Sequence, residues 1–99
     1  MYLNDYLSAL RGAAEPTRLR LLALCAASEL TVSELTQIMG QSQPRVSRHL
    51  KLMVDAGLLE RFREGTWAFY RLATGTDQAR AAATFVDMVP LGDPVIRRD

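Results

Sequence analysis

Ser42, Gln43, Arg45, Ser47 and Arg48 crowd into one short stretch of the chain, and each carries a side chain that can hydrogen-bond to a base edge or a phosphate. Arginine can fork onto guanine O6 and N7, and glutamine onto adenine N6 and N7, so this set is suited to reading duplex DNA. Reading requires that the five be presented together from a rigid element. The flanking residues supply one: Ser42 is a good N-cap, Pro44 suits the first turn, and Gly57 is placed for the left-handed residue after the last turn, which predicts a helix from about Gln43 to Ala56. With Val46 at zero and 100° per residue, Leu50 and Met53 fall within ~40° of it, whereas Pro44, Arg48, Lys51 and Asp55 fall within ~40° of the opposite side. A buried face and a solvent face therefore separate, with Lys51 further out, where it suits a phosphate. His49, ~60° from the core direction, is expected to be half-buried and hydrogen-bonded.

The elements around this helix are consistent with its use. Thr31-Val32-Ser33-Glu34 is a capping box, opening a short helix that ends at Gly40. After Gly57 the period changes from helical to alternating through Leu58–Arg63, turns at Glu64-Gly65 and resumes over Trp67–Leu72, which reads as a hairpin. Arg61 and Arg63 point to one side of its first strand, and a glycine at the tip permits close approach to a backbone or minor groove. Two short helices joined by a Gly-containing turn and followed at once by a basic hairpin give the order of a winged helix-turn-helix. Charge follows the same order. Residues 41–72 hold Arg45, Arg48, Lys51, Arg61, Arg63 and Arg71 against Asp55, Glu60 and Glu64, a local excess of +3, while the segments on either side each sum to −1. An anionic partner met by one face is implied.

Leu3, Tyr6, Leu7 and Leu10 recur at helical spacing and stop at Gly12, predicting a first helix of about two turns. Glu15-Pro16-Thr17 opens a second helix, with Leu19, Leu22, Ala23 and Ala26 as its apolar stripe. Asp77–Val89 is a fifth, with Ala81, Ala82, Phe85, Met88 and Val89 on one side and Pro90 closing it. The first and last helices lie outside the helix-turn-helix and have little to cover them, so Leu3, Tyr6, Leu7, Leu10, Phe85, Met88 and Val89 are expected at a dimer interface. The expected fold is mainly α with a small hairpin: five helices plus a wing over residues 1–90, with 91–99 a loop-like tail or linker.

At 99 residues, 48% hydrophobic and 23% charged, the chain fits one globular domain and excludes a large multidomain enzyme. No window approaches a membrane span and the first residues lack a signal-peptide layout, so a cytoplasmic protein without membrane partners is expected. The single cysteine, Cys25, reads as a buried inert thiol. With His49 the only histidine, there are too few ligands for a structural metal, and no acid–base pair, nucleophile dyad or phosphate loop suggests catalysis. Neither cofactor nor enzymatic activity is expected. The alternative to DNA binding is a winged helix used for protein contacts.

The stretch Ser42-Gln43-Pro44-Arg45-Val46-Ser47-Arg48-His49-Leu50-Lys51-Leu52-Met53, continuing through Ala56-Gly57-Leu58-Leu59, resembles the recognition helix and exit of the ArsR/SmtB family of bacterial winged-helix repressors. Glu15–Leu22 resembles the family's second-helix opening, and Arg63–Leu72, including Gly65 and Thr66 as wing contacts, its wing. The resemblance implies a homodimer, paired through the first and last helices, on a roughly two-fold double-stranded operator, with an inducer that the residues do not identify. Departures are equally informative. Many family members sense thiophilic metals through a Cys-x-Cys pair at the start of the third helix, where this chain has Thr31 and Ser33, and hydroxyls are poor ligands for soft metals. Members with zinc between their last helices use Asp and His, and residues 77–89 contain no histidine. The tail Gly92–Asp99 resembles the junction in longer relatives that continue into a methyltransferase-like domain.

Overall fold

A computed structural model describes residues 1–97; Arg98 and Asp99, the end of the expected tail, lie outside the described residues. The elements run α1 (Leu3–Ala13), α2 (Pro16–Ala27), β1 (Leu30–Thr31), α3 (Val32–Met39), α4 (Gln43–Asp55), β2 (Leu59–Glu64), β3 (Trp67–Leu72), α5 (Asp77–Met88) and α6 (Pro94–Arg97). Local chemistry fixes most of these ends. Glu15 caps α2 by accepting from the Arg18 amide, and Thr31 and Glu34 close the capping box of α3 in both directions. Gly40, at φ +67°, ends α3 in the left-handed conformation that glycine adopts without cost, turning the chain into α4. Ser42 stands at the N-cap of α4 in an extended conformation, but contrary to expectation its hydroxyl makes no capping bond; Pro44 in the first turn pre-sets the helix instead.

The core collects Leu21, Leu22, Leu35, Val46, Leu50, Met53, Leu58 and Leu59, all essentially solvent-free. Val46, Leu50 and Met53 occupy the inner face of α4 as the helical wheel requires. The inner face of α2 differs from the expected stripe: Leu21, Leu22 and Cys25 are buried and Ala26 is exposed, because α2 is wrapped on several sides by α1, α4, α5, α6 and β3. In α1 the core-facing residues are Ala9, Gly12 and Ala13, and the helix runs three turns rather than two.

The fold is a winged helix-turn-helix, mostly helical with a small antiparallel sheet. Two features were not expected. The sheet has three strands in the order β1-β3-β2, because Leu30 and Thr31 pair with Tyr70 and Phe69, a bridge too short to leave an alternating pattern. A sixth helix, the single turn α6, replaces the expected terminal loop, since Ile96 buries against α2. No helix among the described residues is long and apolar enough to cross a membrane.

Candidate nucleic-acid interface

With Val46, Leu50 and Met53 turned inward, α4 presents Gln43, Arg45, Arg48 and Lys51 to solvent, and Ser42 is exposed just ahead of it. Ser47 is half-buried, the least accessible of the five residues chosen as base readers. Leu59, Arg61 and Arg63 share one face of β2, with Leu59 buried in the core and both arginines exposed beyond it. The pair Glu64 and Trp67 closes the hairpin over a two-residue loop, Gly65-Thr66, with Gly65 at φ +61°. Gly65 and Thr66 are thus at the exposed tip; the turn lies one residue beyond the expected Glu64-Gly65, because Glu64 still pairs with Trp67 as the last residue of β2.

The six cations of residues 41–72 are not equivalent. Arg71 Nε donates to Glu60 at 2.6 Å, its Nη1 donates to Glu29 at 3.2 Å, and its guanidinium lies 4.2 Å from the centre of the Phe62 ring. Phe62 in turn stacks on Phe69 at 5.6 Å. These contacts lie on the outer face of the sheet, opposite Arg61 and Arg63, so Arg71 braces the wing, and the two carboxylates hold its pKa above the ordinary arginine value. Lys51 pairs with Asp55 at 2.9 Å. Arg45, Arg48, Arg61 and Arg63 make no hydrogen bond or ion pair among the described residues and are exposed. The local cationic excess therefore resides on four arginines, two on α4 and two on the wing.

Behind α4 lies a cluster that sequence reasoning missed. Arg18, which composition alone leaves as a solvated helix residue, donates from Nε to the Gly12 carbonyl at 2.7 Å and from Nη2 to the Arg11 carbonyl at 3.2 Å. Its Nη1 is 3.4 Å from His49 Nδ1 on α4. Glu15 Oε2 is 4.0 Å from the same nitrogen. His49 is half-buried, as its angle on the wheel predicts, and burial holds its pKa below the ordinary value of 6.5, with Arg18, Arg45 and Arg48 acting in the same direction and Glu15 against it. No local pattern announces a contact between residues so far apart in the chain. The Arg71 brace also depends on the observed register: only with the loop at Gly65-Thr66, one residue beyond the expected turn, does Glu60 face Arg71. The exposed Trp67 beside the tip also drew no functional reading from the sequence.

On the far side of the molecule, Leu3, Tyr6, Leu10 and Met88 are exposed, and Leu7, Phe85 and Val89 are half-buried. Leu10, Leu19, Phe85, Met88 and Val89 line an open apolar groove of about 350 Å³ between α1, α2 and α5. Cys25 is 3% exposed, and burial pushes its thiol up to about 12. Among the described residues no three His, Cys, Asp or Glu side chains are grouped so as to hold a metal.

Residues 15–61 match the family model described as bacterial regulatory protein, arsR family. The arsenical resistance operon repressor of Bacillus subtilis is 34% identical over 71 residues, 71% of this chain and 68% of that protein. The chain belongs to the arsR family. The arsenic resistance transcriptional regulator ArsR1 of Pseudomonas putida is a further relative in the family, 47% identical over 60 residues, 60% of this chain and 47% of its own length. The chain thus spans about half the length of that arsR-family regulator. Among solved structures, the homodimeric winged helix-turn-helix DNA-binding domain (fragment 1–100) of Mb0332 from Mycobacterium bovis superimposes with a TM-score of 0.73 at 33% identity, covering 83% of this chain and 75% of that one.

Proposed function

We propose that this arsR-family chain is a sequence-specific, dimeric DNA-binding transcriptional regulator of the repressor type. Residues 1–90 bind DNA and dimerise, and 91–99 form a tail whose α6 turn rests on α2. Ser42, Gln43, Arg45, Ser47 and Arg48 read base edges from α4 in the major groove; Lys51, Arg61, Arg63, Gly65 and Thr66 contact the backbone and flanking groove. The observation that carries this reading is the set of four exposed, unpaired arginines on α4 and one face of the wing, in a segment whose other cations are engaged internally.

The dimer reading is supported by the orientation of α1. That helix meets its own core through Ala9, Gly12 and Ala13 and leaves Leu3, Tyr6 and Leu10 outside, the reverse of what an isolated domain needs. A second copy pairing through α1 and α5 buries these residues together with Leu7, Phe85, Met88 and Val89, and sets two recognition helices on a two-fold site.

Selection from a random-sequence duplex pool, followed by shift assays on the enriched and scrambled duplexes, tests the proposal. A two-fold site preferred by about 10³-fold or more is the expected result. Failure to retain any duplex favours the winged helix as a protein-contact module. Neither an enzymatic role nor a resident cofactor forms part of the proposal. The inducer is a separate matter: the likeness of the tail to methyltransferase-fused members favours, as a second reading, control by an S-adenosylmethionine-type domain beyond residue 99, and the reading frame after Asp99 tests it.

A further inference from the structure

We propose that Arg18 is the positioning residue of the recognition helix, its guanidinium setting α4 against the C-terminus of α1 through an unprotonated His49 imidazole. The inference rests on the DNA-binding reading of α4. The geometry is that of a three-way tie. Arg18 sits in the first turn of α2 and holds two terminal carbonyls of α1, Gly12 at 2.7 Å and Arg11 at 3.2 Å. Those carbonyls have no partner within their own helix, so a planar, permanently charged fork is a suitable cap for them. The remaining nitrogen, Nη1, faces His49 Nδ1 at 3.4 Å. One rigid side chain thereby spans the proposed dimer helix and the proposed reading helix.

Guanidinium has no lone pair to offer, so the contact requires His49 Nδ1 to be the acceptor and the ring proton to be on Nε2. Protonation removes that acceptor. The imidazolium would then face the Arg18 cation and turn its new Nδ1–H toward Glu15 Oε2, which lies 4.0 Å away. The charged groups around the ring are Glu15 and Arg18 from α2 and Arg45 and Arg48 from α4 itself, so cations outnumber anions there and the neutral ring is favoured. Acidification should therefore loosen α4 from α1. It should also raise general attraction to DNA, which affects all sequences alike. The ratio of specific to non-specific affinity cancels that general term and reports the position of the helix.

His49 is the only histidine in the chain, which makes two measurements unambiguous. In ¹⁵N NMR of the free protein, the ring should be the Nε2–H tautomer with a midpoint below 6.5, and Arg18→Met should raise that midpoint because Glu15 remains while the cation is gone. An unchanged midpoint and Nδ1 shift in Arg18→Met would overturn the contact. The second measurement uses a duplex enriched by the wild type from a random pool, against scrambled DNA. The wild-type ratio should hold from about pH 7.5 down to about 6.5 and fall as the pH is lowered further, since the ring gains its proton below the ordinary histidine value. Arg18→Lys keeps the charge without the fork and should lower the ratio ~2- to 30-fold at the higher pH, with circular dichroism and dimer mass unchanged. His49→Asn supplies a carbonyl oxygen near the position of Nδ1 and cannot titrate, so it should hold the ratio within about twofold of wild type and abolish its pH dependence. A wild-type ratio in Arg18→Lys, or parallel pH profiles for wild type and His49→Asn, would overturn the proposal. If no duplex is enriched, the DNA-binding reading fails, while the NMR titration still decides whether Arg18 holds His49.

Discussion

Salt dependence separates the six cations of residues 41–72 more sharply than affinity does. Each phosphate neutralised on B-DNA contributes about 0.9 to the log–log slope of binding against salt. Arg45, Arg48, Arg61 and Arg63 have no internal partner, so a dimer brings eight free arginines to DNA and the slope should approach about 7 in magnitude if all of them meet phosphate. Since base contacts replace some of these, the differences are more telling than the sum. Arg61→Ala or Arg63→Ala removes one contact per protomer and should flatten the slope by about 1.8 per dimer. Lys51→Ala should change it by less, because the lysine ammonium must leave Asp55 at 2.9 Å before it can meet phosphate. Arg71→Met should leave the slope unaltered and instead loosen the wing, since that guanidinium is held by Glu60 and Glu29 over the Phe62 ring. Anisotropy titrations on a selected duplex at four or more salt concentrations provide the slopes, and thermal unfolding monitors the wing variant. A slope in Arg71→Met as flat as that of Arg63→Ala would refute the assignment of free and engaged cations.

The helix arginines should behave differently from those of the wing: Arg45→Ala or Arg48→Ala should cost ~1 to 3 kcal/mol per half-site and relax preference at particular base pairs, and an unchanged ratio of specific to scrambled binding would show that α4 is misplaced. Leu10→Glu with Met88→Lys, at exposed positions lining the α1–α5 groove, should give folded monomers by analytical ultracentrifugation, with operator binding sharply weakened; a wild-type monomer at tens of micromolar would contradict the dimer. Cys25, with its thiol pushed up to about 12, should resist alkylation at about pH 8 in the native protein and react once denatured; labelling at the rate of a free thiol would place it at the surface. Arsenite, cadmium or zinc at stoichiometric levels should not release DNA, because Thr31 and Ser33 offer hydroxyls and the Thr31 oxygen is engaged with Glu34; two tightly held ions per dimer with loss of DNA affinity would overturn this.

Local signals were sufficient for the five longer helices and for the existence of the wing hairpin. The capping box at Thr31–Glu34, Pro44 in a first turn and the inward row Val46, Leu50, Met53 act over three or four residues, so they are written where they operate. The wing was legible as a hairpin for the same reason, but its turn falls at Gly65-Thr66 and not at Glu64-Gly65, so the register was settled by the folded structure. Packing decided the rest. Leu30-Thr31 becomes a strand only because β3 lies beside it, and Ile96 orders a helical turn only because α2 offers it a surface. Which α1 residues face inward was also settled by packing: close approach to Ala56 and Leu58 leaves room for Gly12 but not for a leucine, so the large side chains turn outward. Charge was the least legible quantity. Six cations look alike in sequence, but Arg71 is engaged by a carboxylate from a strand partner and another 42 positions away, Lys51 by its own helix, and four arginines by neither. Arg18 reaches His49 across 31 positions. Hydrophobic period and caps are properties of neighbours along the chain, whereas the partner of a charge is a property of neighbours in space, and only the folded structure supplies those.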